Sequence, residues 1–345
     1  MPYQVTLQPS GHQFTVGDDE TVLEAALREG FALPYGCRNG ACGACKGTVL
    51  SGTLDYGTHS PTALKDEEKT QGRALFCRAR PLSDLVIEAK EIGAAKDIVV
   101  KTLPCRVEKL EKCADDVMRV RIKLPSNERL QFLAGQYIDF QLKDGKARSY
   151  SLANPPHDDA LLELHIRHVP GGLFTDQVFS TLKERDILRL KGPLGSFFIR
   201  EDSDKPMIFV AGGTGFAPVK AMLEHAFAEH TDRELVLYWG VRALKDLYMA
   251  DLPQRWQAER PNFTFIPVLS DPAPADAWQG RTGFVHEAVL ADFDDLSGYQ
   301  VYACGAPVMV DSAREAFTRT RGLPEDEFFA DAFVYAADAE TTPSA

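Results

Sequence analysis

No stretch of this chain stays apolar for long enough to span a bilayer. The opening Met1-Pro2-Tyr3-Gln4-Val5-Thr6 lacks both the basic start and the apolar core of a secretory leader. A cytoplasmic protein with no membrane span is the expectation. Positive charge is also short: 38 Lys and Arg against 50 Asp and Glu leave a net charge of −12. That balance argues against a nucleic-acid partner, which would be held through its phosphates. The deficit is sharpest after Arg321, where Glu325, Asp326, Glu327, Asp331, Asp338 and Glu340 meet no Lys or Arg, the pattern of a solubilising acidic terminus. Cysteine is scarce and odd in number, seven in 345 residues, so a disulfide framework is not expected. There is no internal repeat and no low-complexity tract. What remains is an ordinary globular composition in a chain long enough for two or three domains.

Three compositional blocks divide it. In the first, residues 1–95, Tyr3–Leu7 and Gln13–Val16 alternate as two strands about a Ser10-Gly11 turn. Thr21 then precedes Val22–Leu27, a capped amphipathic helix that ends at Gly30. A cysteine-rich loop follows, and Leu85–Glu88 reads as a closing strand; this order fits a β-grasp, an α+β fold. The second block, 103–200, is a series of short alternating segments: Cys105–Leu110, Val117–Ile122, Tyr137–Leu142, Ala147–Leu152, Leu162–Ile166 and Ile187–Leu190. They predict an antiparallel β-barrel interrupted by one short helix near Phe174–Leu182. The third block, 201–337, switches rhythm. Apolar strands at Met207–Val210, Leu235–Tyr238, Phe263–Val268 and Gln300–Ala303 alternate with helices such as Val219–His230 and Val308–Arg321. That is the signature of an α/β parallel sheet. Residues 338–345 are expected to be a disordered tail.

The most informative residues lie in the first block. Cys37, Cys42 and Cys45 form a C-x4-C-x2-C run, with Cys77 alone further on. This is the plant-type spacing of a [2Fe–2S] cluster. Gly40 and Gly43 let the loop curl and turn backbone N–H groups toward the sulfurs. A zinc site is the alternative, but structural zinc sites pair two short C-x2-4-C or C-x2-4-H units, and Cys77 has no such companion.

In parallel sheets ligands bind beyond the carboxyl ends of the strands. After the first of these strands stands Gly212-Gly213-Thr214-Gly215, a glycine turn that leads into a helix N-terminus and suits a phosphate. It is not the G-x-G-x-x-G fingerprint of the Rossmann fold, so a different nucleotide-binding sheet is implied. After the fourth strand come Cys304 and Gly305, where the thiol would face whatever the glycine turn holds; a buried free cysteine is the alternative. Arg242, after the second strand, lies where an adenine ribose would sit. It could meet a 2′-phosphate or the ribose edge, or simply be a solvated surface residue. In the barrel block, Arg148 and Tyr150 share one strand face and Ser149 and Ser151 the other. A guanidinium beside a phenol suits a pyrophosphate and a flat flavin ring. Gly171, Gly172 and Thr175 open the short helix, a second anion-binding start.

These motifs, taken in order, resemble those of the ferredoxin–NADP reductase superfamily, in the form that carries an N-terminal plant-type ferredoxin. The arrangement is similar to reductase components of bacterial benzoate, naphthalene, methane and phenol oxygenases. Through Tyr35-Gly36-Cys37-Arg38-Asn39-Gly40 and Tyr238-Trp239-Gly240 it is also similar to the CDP-6-deoxy-glucoseen reductase branch. The resemblance implies Cys37, Cys42, Cys45 and Cys77 as cluster ligands. It implies that Arg148, Tyr150 and Ser151 bind FAD, with the serine near the flavin N5. Gly171, Gly172 and Thr175 then form its pyrophosphate turn, and Phe333 is the C-terminal aromatic that lies by the flavin. Gly212, Gly213, Thr214 and Gly215 become the pyridine-nucleotide loop, with Cys304 and Gly305 on the nicotinamide side. Ser151 and Cys304 are the implied catalytic residues.

The chemistry that follows is a converter from paired to single electrons. Nicotinamide delivers two electrons as a hydride, an iron–sulfur cluster accepts one, and flavin can do both. NADH is expected over NADPH, because Arg242 has no clear basic companion beside Tyr248. The expected outlet is a protein acceptor, most simply an oxygenase component, with a deoxysugar dehydrase as the alternative. A redox-sensing regulatory protein is the competing class; the complete hydride route speaks against it.

Overall fold

A computed structural model describes residues 2–92 and 98–334. The tail at 338–345, with Asp338 and Glu340, lies outside the described residues. Two compact units emerge. One holds the described residues of Met1–Ile98 with Gly195–Phe197 and Ala330–Val334; the other holds Val99–Leu194 and Phe198–Phe329.

The first unit is a β-grasp. Tyr3–Gln8 pairs antiparallel with Gln13–Val16, Tyr3 opposite Val16, and parallel with Leu85–Glu88, Val5 opposite Leu85. Strict alternation puts Val5, Leu7, Phe14 and Val16 on the covered face, which is why these segments are strands. Helix Val22–Arg28 lies over that face and buries Val22, Leu23, Ala25 and Ala26. Its start is a complete capping box: Thr21 Oγ1 accepts the Glu24 N–H at 3.3 Å, and the Glu24 carboxylate accepts the Thr21 N–H at 2.9 Å. Four strands of this unit escaped the sequence pattern, among them Lys46–Ser51 and Arg73–Leu75. The latter is three residues long, too short to show a period. These two pair antiparallel directly after Cys45 and directly before Phe76 and Cys77, so the sheet itself delivers the fourth thiol to the loop.

In the second unit a six-stranded antiparallel sheet runs in the order Ala147–Ser151, Tyr137–Gln141, Ile187–Leu194, Lys101–Ala114, Val117–Lys123, Leu162–Arg167. A bridge between Leu152 and Leu164 joins its two edges, which makes it the expected barrel. Lys101–Ala114 is far longer than Cys105–Leu110 alone suggests. It serves two neighbours, Ile187–Leu194 through its first half and Val117–Lys123 through its second, and it bulges after Val107 and again after Lys112. The short helix spans Leu173–Ser180.

A second, largely parallel sheet follows in the order Arg281–Thr282, Phe263–Leu269, Leu235–Val241, Met207–Gly212, Gln300–Gly305, Phe328–Ala332. Met207–Gly212 has Leu235–Val241 on one side and Gln300–Gly305 on the other, both parallel. The strand order therefore reverses beside the first strand, and the crevice at that reversal is where such a sheet binds its ligand. Helices Phe216–Ala228 and Pro307–Thr320 match expectation closely. Helices Asp251–Glu259 and Val285–Asp292 bury only two and three side chains, too few to leave a readable stripe.

Gly47 lies under the ring of Phe76, where an added Cβ would come within 2.2 Å of a ring carbon. Gly47→Ala must therefore displace Phe76 and, with it, its neighbour Cys77. The expected result is a loss of roughly 1–3 kcal/mol in stability of the first unit. Denaturant unfolding would show it, together with less iron bound per chain.

Candidate functional site

The four thiols come together as two pairs. Cys37 and Cys42 hydrogen-bond to one another, and so do Cys45 and Cys77. In the first pair the bond to Cys42 lowers the Cys37 thiol to about 6, helped by the N–H groups of Asn39, Ala41 and Cys42 and opposed by burial. Cys42 moves the other way, pushed up by that same bond and by burial. The Cys37 N–H also points at Cys42 Sγ, at 3.4 Å. Gly40 and Gly43 take left-handed φ values of 81° and 75°, the backbone reversal that aims these N–H groups inward. In the second pair the bond to Cys45 lowers Cys77, and Cys45 rises correspondingly.

Among the described residues no three His, Cys, Asp or Glu side chains gather around a single ion. Two thiol pairs, each fed by backbone N–H donors, suit instead a two-iron cluster, in which each iron takes two protein thiolates. The donor set fits [2Fe–2S] better than one zinc.

In the barrel, Ala147–Ser151 lies antiparallel to Tyr137–Gln141, which sets Arg148 opposite Phe140, Tyr150 opposite Ile138 and Ser151 opposite Tyr137. Tyr150 packs on Phe140 and Phe174, with ring centroids 6.0 and 5.5 Å apart, and burial pushes its phenol above the ordinary range. Ser149 on the other face donates to Asp139 at 2.6 Å, while Ser151 is buried. Helix Leu173–Ser180 starts from a tight turn. Thr175 Oγ1 donates to the Val169 carbonyl at 2.9 Å, and a Cβ on Gly172 would come within 2.5 Å of that hydroxyl. The Thr175 hydroxyl thus builds the turn. The Gly171 N–H is bound to the Asp176 carboxylate at 3.1 Å, so any anion here rests on the helix start beyond it. A Cβ at Gly171 would meet nothing within 4 Å, which leaves open space beside the turn. The residues fit a flavin whose phosphates lie at this helix start. Phe333 is half-buried and belongs to the first unit.

The glycine turn is a one-turn 3-10 segment, Gly213–Gly215, between Met207–Gly212 and helix Phe216–Ala228. It packs backbone to backbone on the end of Gln300–Gly305. A Cβ on Gly215 would fall 2.1 Å from the Cys304 carbonyl oxygen, and one on Gly305 only 3.0 Å from the Gly212 Cα. Cys304 is wholly buried. Arg242 stands exposed beyond Leu235–Val241, its guanidinium on the Asp271 carboxylate at 3.1 and 3.2 Å.

One site residue carried no sequence signal. Arg167 ends strand Leu162–Arg167, and its Nη1 lies 3.0 Å from the point a Gly213 Cβ would occupy. Its Nε sits 3.2 Å from Asp116, while the buried Nη2 makes no hydrogen bond among the described residues. A cation ending a barrel strand against a phosphate loop is recognisable only once the strand and the loop are brought together. Arg167→Gln is expected to raise the KM for the nicotinamide nucleotide about tenfold, the size of one charge-assisted hydrogen bond. Flavin content should be unchanged; steady-state kinetics and the flavin spectrum check both.

Comparison with known proteins agrees with this geometry segment by segment. Residues 5–82 match the 2Fe-2S iron-sulfur cluster binding domain, 104–199 the oxidoreductase FAD-binding domain and 209–315 the oxidoreductase NAD-binding domain. The chain is 40% identical to CDP-6-deoxy-L-threo-D-glycero-4-hexulose-3-dehydrase reductase of Yersinia pestis, over 97% of this chain and 99% of that one. It is 38% identical to the reductase component of phenol 2-monooxygenase from a Pseudomonas species, over 98% and 96%. Among solved structures, the cytochrome P450 reductase of Amycolatopsis is 37% identical with a TM-score of 0.76, covering 96% of this chain and 98% of that one. Three consecutive domain matches and full-length relatives at this identity place the chain in the ferredoxin–NAD(P) reductase superfamily, as an NAD(P)H-dependent flavin and iron–sulfur oxidoreductase with an N-terminal plant-type ferredoxin domain.

Proposed function

We propose that this protein is the reductase component of a two-protein system, passing electrons from NADH to a mono- or dioxygenase component. The observation that carries the reading is the union in one polypeptide of four candidate cluster thiols with FAD- and NAD-binding domains, in a chain similar over nearly its whole length to relatives named as oxygenase reductase components. When bound, flavin supplies the step between two-electron and one-electron carriers. The chain's residues provide the setting. Cys37, Cys42, Cys45 and Cys77 hold the cluster. Arg148 and Tyr150, with the helix start after Gly171 and Gly172, hold FAD, and Thr175 shapes the turn. Ser151 would act at the flavin, and Cys304 with Gly305 would serve the nicotinamide side. Gly212, Gly213, Thr214 and Gly215 would take the pyrophosphate of the nicotinamide nucleotide.

No helix among the described residues is long and apolar enough to cross a membrane. Residence in the cytoplasm is part of the proposal.

A second acceptor stays in view. The 40% identical relative is named as the reductase of a deoxysugar dehydrase, so this chain could serve such a partner instead. Mixing the reduced protein anaerobically with a purified oxygenase component and with a purified dehydrase separates the two. Fast reduction of the oxygenase alone supports the proposal, and fast reduction of the dehydrase alone overturns it. Steady turnover with ferricyanide sets both readings apart from a pure redox sensor.

The preference for NADH follows from Arg242. Asp271 occupies its guanidinium and would repel a 2′-phosphate at the same place. Wild-type protein should therefore use NADH well ahead of NADPH. In Asp271→Asn the kcat/KM for NADPH should rise about two- to fivefold, the scale of one exposed charge contact, with NADH little changed. Equal use of both nucleotides by the wild type contradicts this reading.

A further inference from the structure

The buried interior of the second unit contains a line of contacts from the barrel to the nucleotide loop. Glu163, on strand Leu162–Arg167, is a buried carboxylate within reach of three cationic or hydrogen-bonding partners: Arg121 Nε at 3.0 Å, His165 Nε2 at 3.1 Å and Lys220 Nζ at 3.4 Å. Burial alone would raise its carboxyl. The hydrogen bond from His165, the charge of Lys220 and the bond from Arg121 instead hold it well below the ordinary range, while burial lowers His165 and keeps its ring neutral. It therefore only accepts, so His165 donates from Nε2 and its Nδ1 accepts the Tyr248 hydroxyl, at 2.9 Å.

The Tyr248 ring stands edge-on to Trp239, with centroids 5.2 Å apart at 86°, and Trp239 stacks flat on Phe216 at 4.0 Å. The indole N–H of Trp239 donates to the carbonyl of Gly213 at 2.9 Å. A trans peptide plane sets its carbonyl and its N–H in opposite directions. The carbonyl of Gly213 and the N–H of Thr214 share one plane. The same carbonyl also accepts the Phe216 N–H, so Trp239 and the turn together point it one way and turn the Thr214 N–H the other, away from the indole. Gly213 itself sits at φ 54°, a left-handed conformation that glycine reaches without the penalty a Cβ would bring.

We propose that Trp239 and Tyr248 are positioning residues for the nucleotide loop, held from the barrel side by His165 and Glu163. The flavin-binding half of this unit thereby sets the direction of an N–H donor in the nucleotide-binding half. Lys220, in the helix that follows the loop, strengthens the tie: it donates to the carbonyl of Ala153, two residues beyond Ser151, at 2.9 Å. The inference rests on the reading of Gly212–Gly215 as the nucleotide loop.

The test uses the full-length holoprotein with ferricyanide as acceptor and NADH varied. Trp239→Phe keeps the stack and removes the N–H; Tyr248→Phe keeps the ring and removes the hydroxyl. Each should raise the KM for NADH about fivefold, the scale of one neutral hydrogen bond, with kcat, flavin content and iron content unchanged. The double variant should be no worse than Trp239→Phe, because the tyrosine acts through the tryptophan. Gly213→Ala, which meets both the left-handed φ and Arg167, reports on the loop itself. If Gly213→Ala raises KM while Trp239→Phe and Tyr248→Phe do not, the positioning role is wrong and the loop reading stands. If Gly213→Ala also leaves KM unchanged, both fall. If kcat and flavin content drop together with the rise in KM, the two residues serve only to keep the unit folded, and the proposal is overturned.

Discussion

The nucleotide-binding half depends on a contact that tolerates no side chain. Gly215 lies on the carbonyl of Cys304, and Gly305 lies on the backbone of Gly212. Two strand ends can meet this closely only if both lack a Cβ at the crossing. The contact occurs where the strand order reverses, so it closes the base of the crevice that a parallel sheet offers its ligand. The helix Phe216–Ala228 takes its starting position from it. Phe216 then meets Trp239, and Trp239 reaches back to Gly213.

Electrostatics in the first unit works on the same scale of detail. A cluster of thiolates confined together would repel itself if nothing opposed the charge. Backbone dipoles oppose it on the loop, where the N–H groups of Asn39, Ala41 and Cys42 all act on Cys37, and the charge of Arg78 adds to this at Cys77. Because the donors belong to the backbone, the loop's amino-acid identities matter chiefly where glycine permits the reversal, at Gly40 and Gly43. The second pair is framed differently. Cys45 and Cys77 border strands Lys46–Ser51 and Arg73–Leu75, and the Phe76 N–H bonds to the Cys45 carbonyl at 3.0 Å. One half of the ligand set is held by an irregular loop, the other by a sheet.

Much of this was legible in advance, for physical reasons. Chemistry that needs fixed spacing along the chain, such as the C-x4-C-x2-C run, shows in the sequence directly. So do strands and helices with one covered face, such as Tyr3–Gln8 or Pro307–Thr320, because burial imposes a period. Elements without a period stayed hidden: Arg73–Leu75 is too short, and Asp251–Glu259 is held by little more than Pro253 and Trp256. Contacts made across the fold were equally invisible. Arg167 looks like any strand-end cation until Gly213 arrives beside it. The sequence left Arg242 open between phosphate, ribose and solvent; its partner Asp271 lies 29 residues away on a different loop. From the sequence Cys304 reads either as a thiol facing the ligand or as a buried free cysteine; the residue is wholly buried, and its carbonyl meets the glycine turn.

The fourteen-residue strand Lys101–Ala114 has a consequence for how the barrel comes apart. Its first half pairs with a segment more than eighty residues downstream and its second half with the hairpin partner immediately following. Local and distant pairings therefore share one continuous backbone, and the hairpin cannot fray fully without tugging on the long-range seam. A cleavage between Arg106 and Val107 would uncouple those two halves at a stroke. The covalent continuity of this one segment is thus a source of the barrel's cooperativity, quite apart from any side chain it carries.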